Sequence, residues 1–73
     1  MKVTYDTQVD AMYIRFLDEP FQVTTHRLSE DVAINYAPDG RIVGIEILDA
    51  STYVFAPGKE GRIEIENLIP VAA

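Results

Sequence analysis

The chain has 73 residues, no cysteine and a formal net charge of −6. This length provides one small domain, and the absence of cysteine excludes disulfides and thiolate metal sites as a means of stabilising it. The excess of 12 acidic over 6 basic residues argues against nucleic acid, and against an anionic membrane surface, as the partner.

Alternation of polar and apolar residues with a period of two predicts β-strands along most of the chain. The strands are predicted at residues 2–6, 11–17, 21–28, 32–37 and 41–48. Residues 11–17 are apolar on both faces, which predicts a central strand, whereas the more polar residues 21–28 suit a sheet edge. Pro38-Asp39-Gly40 predicts a tight turn between the last two strands.

The last third of the sequence has a weaker pattern. Asp49-Ala50-Ser51 either ends a strand or caps one short helical turn, and residues 53–55 favour β-structure. Residues 57–61 have the composition of a loop, residues 62–66 alternate like a strand, and residues 68–71 form an apolar tail. No run reaches the ~20 apolar residues that a membrane-spanning helix needs, and no signal peptide is evident, so we expect a cytoplasmic protein.

The predicted fold is mainly β: a single domain over residues 1–73, with an antiparallel meander of five or six strands and at most one short helical turn. An α+β arrangement stays open. Several strands are apolar on both faces, so something must cover the second face of the sheet. The C-terminal segment and a second copy of the chain are the two candidates, and small domains without crosslinks often associate, so we expect a homodimer.

Glu46 is the first weak candidate for a catalytic residue. By alternation it shares a face with Ile42, Gly44 and Leu48. A carboxyl group among apolar side chains has a raised pKa, which suits a general acid. The alternative is a solvated face, or an ion pair across strands with Arg15 or Arg41.

His26, Asp6 and Asp10 complete the list of weak candidates. His26 is the single histidine, but no nucleophile motif or metal-ligand spacing accompanies it, which favours a surface or edge position. Asp6 and Asp10 offer oxygen ligands for a hard cation, although hydrogen bonding within a turn explains them as well. We therefore predict no catalytic constellation, no metal site and no cofactor.

Aromatic residues predict an interface. Tyrosine combines an apolar ring with a polar tip, a combination that is common where proteins meet. The predicted interface residues are Tyr13, Phe16, Tyr36 and Tyr53. Tyr13 is the leading one because it lies opposite the apolar side chains of its own strand; the alternative is that it packs beneath the C-terminal segment of the same chain.

A set of short motifs resembles a known family. The residues are Tyr5-Asp6, Asp10, Met12-Tyr13-Ile14, Asp39-Gly40 and residues 43–51. Together they resemble the small bacterial proteins catalogued as domain of unknown function 2283, over residues 1 to about 51. The resemblance implies a stand-alone β-rich protein with no assigned catalytic or metal residues. Some members are associated with genes for ribonuclease-like toxins, which implies an antitoxin-like role.

The sequence therefore favours a small acidic, non-enzymatic protein-interaction module that self-associates as a homodimer. The negative charge is compatible with a basic protein partner, but the favoured interpretation is that it simply maintains solubility. The alternative is a small enzyme or ligand-binding protein with a carboxylate site at a dimer interface, built on Glu46, His26 or Asp10. These two hypotheses predict different properties of Glu46. A ligand site requires a concave surface at that residue, and an interaction module does not.

Overall fold

The structure is a computed structural model in which residues 1–18 and 22–54 are described. They form five strands and one short helix: β1 (Lys2–Asp6), β2 (Ala11–Arg15), β3 (Thr24–Arg27), β4 (Val32–Tyr36), β5 (Ile42–Ile47) and α1 (Ala50–Tyr53). The mainly β, antiparallel fold predicted from the sequence is confirmed. The predicted loop at 57–61, strand at 62–66 and apolar tail at 68–71 lie outside the described residues.

The strands form one antiparallel sheet in the order β1-β2-β5-β4-β3. A hairpin, β1–β2, therefore lies beside a three-stranded meander, β3–β4–β5. The two units join where β2 pairs with β5, with Met12 opposite Ile47 and Ile14 opposite Ile45. We call this pairing the β2–β5 seam. The predicted central position of β2 and edge position of β3 are both confirmed, and every residue of β3 is exposed.

The register sorts the side chains onto two faces of different chemistry. One transverse row contains Val3, Ile14, Ile45 and Ile34, and the next contains Tyr5, Met12, Ile47 and Val32. We call this side the apolar face. The opposite side is the polar face, which presents Lys2, Thr4, Asp6, Ala11, Tyr13, Arg15, Thr25, Arg27, Ala33, Asn35, Gly44 and Glu46.

A β-bulge changes one assignment that was made by alternation. Asn35 lies opposite Gly44, but the register shifts at the next residue, so Tyr36 lies opposite Ile42. The bulge inserts one residue into β5 and moves Ile42 to the side of Tyr36. The prediction that Ile42 shares a face with Glu46 is therefore wrong, because a strict period of two does not allow for an extra residue.

The buried core is small. Within the described residues, the buried apolar side chains are Met12, Ala33, Ala37, Val43 and Ala50. No large side chain there is fully buried. A domain of this size buries only about 60% of the surface of its unfolded chain, so specific hydrogen bonds and tight contacts contribute a large share of its stability.

Helix α1 lies at the end of the sheet where β5 finishes. Leu48 donates its amide to the carbonyl of Asp31, and Asp49 adopts a left-handed conformation with φ 51°. The chain then makes the single helical turn that the sequence left as one of two possibilities. Tyr53 ends this helix, so its predicted β-structure is wrong. No helix among the described residues is long and apolar enough to cross a membrane.

Candidate functional site

Asp10 is the most heavily bonded side chain in the described structure. Its Oδ1 accepts hydrogen bonds from the Tyr5 hydroxyl at 2.6 Å and from the Ser51 amide at 3.0 Å. Its Oδ2 accepts one from the Ser51 hydroxyl at 2.7 Å, and its carbonyl accepts the Ala50 amide at 2.9 Å. We call this group the Asp10 clamp. It fastens the β1–β2 turn to the start of α1.

The local backbone explains why an aspartate occupies this position. Asp10 has φ 54°, in the left-handed region that aspartate and asparagine tolerate better than most residues. The hydrogen bond from Tyr5, followed by that from Ser51, lowers the pKa of Asp10 below its ordinary value. The same bond, together with burial and the negative charge of Asp10, raises the pKa of Tyr5.

A second hydrogen bond holds the other end of α1. The Tyr53 hydroxyl donates to Oδ2 of Asp31 at 2.5 Å, and this bond raises the pKa of Tyr53. Asp31 directly precedes β4, so α1 is attached both to the β1–β2 turn and to the start of β4. Tyr53 as a whole remains 59% exposed.

The two tyrosine–aspartate bonds predict a specific alkaline behaviour. A raised folded-state pKa means that each bond contributes stability below pH ~10, the unfolded pKa of tyrosine, and loses it as the pH rises through the higher folded value. We expect Tyr5→Phe and Tyr53→Phe each to remove one high-pH transition from the ultraviolet titration of the tyrosines. If the transition that either variant loses has its midpoint at or below pH ~10, the corresponding hydrogen bond does not form in solution.

The proposed oxygen ligands have other partners. Both carboxylate oxygens of Asp10 accept hydrogen bonds within the Asp10 clamp, and Asp6 accepts the Gln8 amide through Oδ1 at 2.9 Å. Over residues 1–18 and 22–54, no group of three or more acidic or histidine side chains is placed to hold a metal ion. The hydrogen bond from Gln8 matches the turn interpretation of Asp6, whereas the side chain of Asp10 also bonds Ser51, outside the turn.

Tyr13 bridges three strands on the polar face. Its ring lies against Gly44 so closely that a Cβ on that glycine would come within 2.6 Å of the ring atom Cε1. Its hydroxyl accepts a hydrogen bond from Nδ2 of Asn35 at 2.9 Å, and Oδ1 of Asn35 accepts one from Thr25 at 2.8 Å. The guanidinium of Arg15 lies 5.5 Å from the centre of the ring. Tyr13 thus packs within the sheet and is half-buried.

Glu46 lies beside Tyr13 in the middle of the polar face. It is opposite Tyr13 on β2 and Ala33 on β4. Its partner is Arg27, with 3.8 Å between Nη2 and Oε1, and not Arg15 or Arg41. That distance is longer than a charge-assisted hydrogen bond, and the side chain of Glu46 is 39% exposed.

The remaining predicted residues are spread over the sheet. His26 is exposed on the edge strand β3, opposite Ile34, and has no neighbouring carboxylate in its row. Tyr36 is half-buried next to the β-bulge, and Phe16 is 41% exposed directly after β2. The structure therefore does not bring His26, Glu46 and Asp10 together in one site.

A concave surface does exist on the polar face, at the end nearest α1. It is a trough of about 750 Å³ between the β1–β2 turn and the middle of β5. Its lining includes Thr4, Asp6, Ala11, Tyr13, Glu46 and Leu48. Such a volume lies within the ~300–1,000 Å³ that is usual for ligand sites. Glu46 is thus next to a concave surface, as the ligand-binding hypothesis requires.

Sequence reasoning missed the roles of Ser51, Asn35, Arg27 and Thr25. The sequence places Ser51 in a segment that either ends a strand or caps a helical turn, but its amide and hydroxyl both bond the carboxylate of Asp10. Asn35 and Thr25 read as ordinary polar positions of strands. These contacts become predictable once the pairing of the strands is known, because residues directly opposite each other on neighbouring strands bring their side chains into contact.

A comparison of the sequence with protein-family models identifies the family of this chain. The model described as "Protein of unknown function (DUF2283)" matches residues 2–51. This range contains all five strands of the described residues, every residue of the Asp10 clamp and the Tyr13–Gly44 contact. No curated protein and no solved structure matches the chain. Because the match covers more than half of its residues, the chain belongs to the DUF2283 family of proteins of unknown function.

Proposed function

We propose that this protein is a non-enzymatic interaction module that self-associates through its apolar face. The observation that supports the proposal is that two adjacent rows of apolar and aromatic side chains cross β1, β2, β5 and β4, and that of these eight side chains only Met12 is buried. Among the described residues, the only element outside the sheet is the four-residue helix α1, which lies at one end. Ile14, Ile34, Ile45 and Ile47 are half-buried and not fully enclosed.

The distribution of charge favours a second copy as the partner of this face. Two chains with a net charge of −6 repel each other wherever their carboxylates approach. Asp6 and Glu46 lie on the polar face, and the other carboxylates of the described residues lie in turns and loops. The rows of the apolar face carry no carboxylate, so two copies meet there with little charge repulsion and remove apolar side chains from water.

A matched pair of substitutions on β1 tests this function. We expect Val3→Glu, on the apolar face, to shift the protein from dimer to monomer in sedimentation equilibrium, because it places a charge in the contact. Thr4→Glu adds the same charge on the opposite face and should leave the dimer intact. Both sites lie on an edge strand, and circular dichroism checks that both variants fold.

Two results would count against self-association. A wild-type chain that sediments as a monomer at every concentration up to millimolar would refute it directly. Equal weakening of the dimer by both variants would show that added negative charge alone drives dissociation, and that the apolar face is not the contact. An antitoxin-like role is a narrower version of this proposal, and it additionally requires a stoichiometric basic partner.

A further inference from the structure

We propose that the trough on the polar face binds a cationic side chain, arginine or lysine, of a partner protein. Glu46, Asp6 and Ala11 of its lining lie on the opposite side of the sheet from the proposed contact between copies, and Tyr5 and Met12 of the apolar face border it only at the end near the β1–β2 turn. The trough therefore stays open whether the chain is a monomer or pairs through its apolar face, and the two proposals are tested independently.

The walls of the trough suit a charged group on an aliphatic stem. Glu46 and Asp6 place carboxylates on β5 and β1, with the small side chain of Ala11 between them on β2. Ala11 and Leu48 add apolar surface, against which the methylene groups of a long basic side chain pack. Thr4 contributes a hydroxyl group, which can accept a hydrogen bond from the incoming cation.

Glu46 differs from the other bonded carboxylates in the length of its contact. Asp10, Asp31 and Asp39 each accept a hydrogen bond of 2.5–2.6 Å. Glu46 has only the 3.8 Å contact with Arg27, and both of these side chains are well exposed. An exposed ion pair at this distance contributes little, so an incoming cation displaces Arg27 at small cost.

Arg27 therefore acts as an internal competitor for the same carboxylate. The other basic groups on this face are Arg15, whose guanidinium lies over the Tyr13 ring, and Lys2 at the far end of β1. Of these three, Arg27 is the one in contact with Glu46. This arrangement makes a distinctive prediction: removing one positive charge, that of Arg27, should strengthen the binding of a cation.

The test uses three short peptides, acetyl-Gly-Arg-Gly-amide, its lysine analogue and its neutral citrulline analogue, titrated into the full chain and followed by amide NMR shifts. We expect the two cationic peptides to shift Thr4, Asp6, Ala11 and Glu46, and the citrulline peptide to leave them unchanged. Salt should weaken the binding, since exposed charges are screened beyond ~10 Å at 0.1 M.

Four single variants and one double variant test the position of the site. Glu46→Gln should weaken binding about fivefold or more, and Arg27→Ala should tighten it about two- to fivefold. Asp18→Asn and Arg41→Ala make the same changes of charge outside the trough and should alter affinity much less. In the Glu46→Gln background, Arg27→Ala should no longer tighten binding, because the two substitutions act on one carboxylate.

Each other result refutes the proposal. If Arg27→Ala weakens binding, or if it tightens binding no more than Arg41→Ala, Arg27 is not a competitor for Glu46. If the citrulline peptide binds as well as the arginine peptide, the site does not recognise charge. Shifts confined to residues outside the trough would place the contact elsewhere. The dispersion of the NMR spectrum confirms that each variant is folded.

Discussion

Asp10→Ala is expected to destabilise the protein more than any other single change within the Asp10 clamp. The substitution removes the carboxylate that accepts three hydrogen bonds, from the Tyr5 hydroxyl and from the amide and hydroxyl of Ser51. It places alanine at φ 54°, a left-handed backbone conformation that is strained for this residue. It also leaves the Ser51 amide and the Tyr5 hydroxyl without that partner. Thermal unfolding measures the effect, and the fall in Tm should exceed those of Ser51→Ala and Tyr5→Phe.

Two further variants separate the causes of this loss. Asparagine tolerates the left-handed backbone and keeps one carbonyl acceptor. The Tm of Asp10→Asn should therefore lie between those of the wild type and Asp10→Ala. Ser51→Ala removes one hydroxyl and should cost about 1 kcal/mol. Should Asp10→Asn prove as damaging as Asp10→Ala, the carboxylate and not the backbone strain would account for the whole effect. Should neither variant change Tm, the clamp would not contribute to stability.

The clamp also has a defined pH dependence. Because the folded-state pKa of Asp10 is lowered, its contribution is complete above the unfolded value of ~3.9 and is lost as the pH falls from there through the folded value. The difference in stability between wild type and Asp10→Asn should therefore be constant near neutral pH and shrink in acid. A difference that grows in acid would contradict the assignment.

Gly44→Ala is the second substitution with a large expected effect. A Cβ at this position overlaps the Tyr13 ring, so either the ring or the β2–β5 seam must shift. Overpacking of this kind costs ~1–3 kcal/mol. The displacement should also break the hydrogen bond between Tyr13 and Asn35. Chemical unfolding measures the free energy, and Tyr13→Leu provides the second arm of a double-mutant cycle.

The cycle distinguishes a steric clash from a backbone effect. If the cost of Gly44→Ala comes from the ring, it should fall substantially when Tyr13 is already leucine. Gly40→Ala is the control: Gly40 has φ 89° and open space around it, so its cost comes from the backbone and should not depend on Tyr13. Equal costs of Gly44→Ala with and without the Tyr13 ring would rule out the contact as the cause.

The strands and one turn could be predicted from the local pattern of the sequence. Period-two alternation located the five described strands, and Asp39-Gly40 located one turn, because both features depend on residues close in sequence. The β-bulge at Tyr36 and Ile42 did not follow, since a register shift depends on how two strands pair. The helical turn at Ala50–Tyr53 was only half predicted, because its stability comes from bonds to Asp10 and Asp31.

The candidate site was predictable only in part. Glu46 was identified from its position among apolar residues, but its partner was predicted as Arg15 or Arg41 and is Arg27. The reason is topological: the order of strands places β4 and then β3 beyond β5, and this order is not encoded in any single strand. Asp10 was recognised as a turn residue, but its bonds to Ser51 join positions 41 residues apart.

The β2–β5 seam has a consequence for how the chain folds. The hairpin β1–β2 and the meander β3–β4–β5 each pair strands that are consecutive in the sequence. Forming either unit therefore closes only short loops. The seam, the Asp10 clamp and the Tyr13–Asn35 bond all join one unit to the other, over 22 to 41 residues. Long-range closure of this kind slows folding, so docking of two preformed units is the expected rate-limiting event. Contacts made after that event, such as the clamp, govern how slowly the native protein opens.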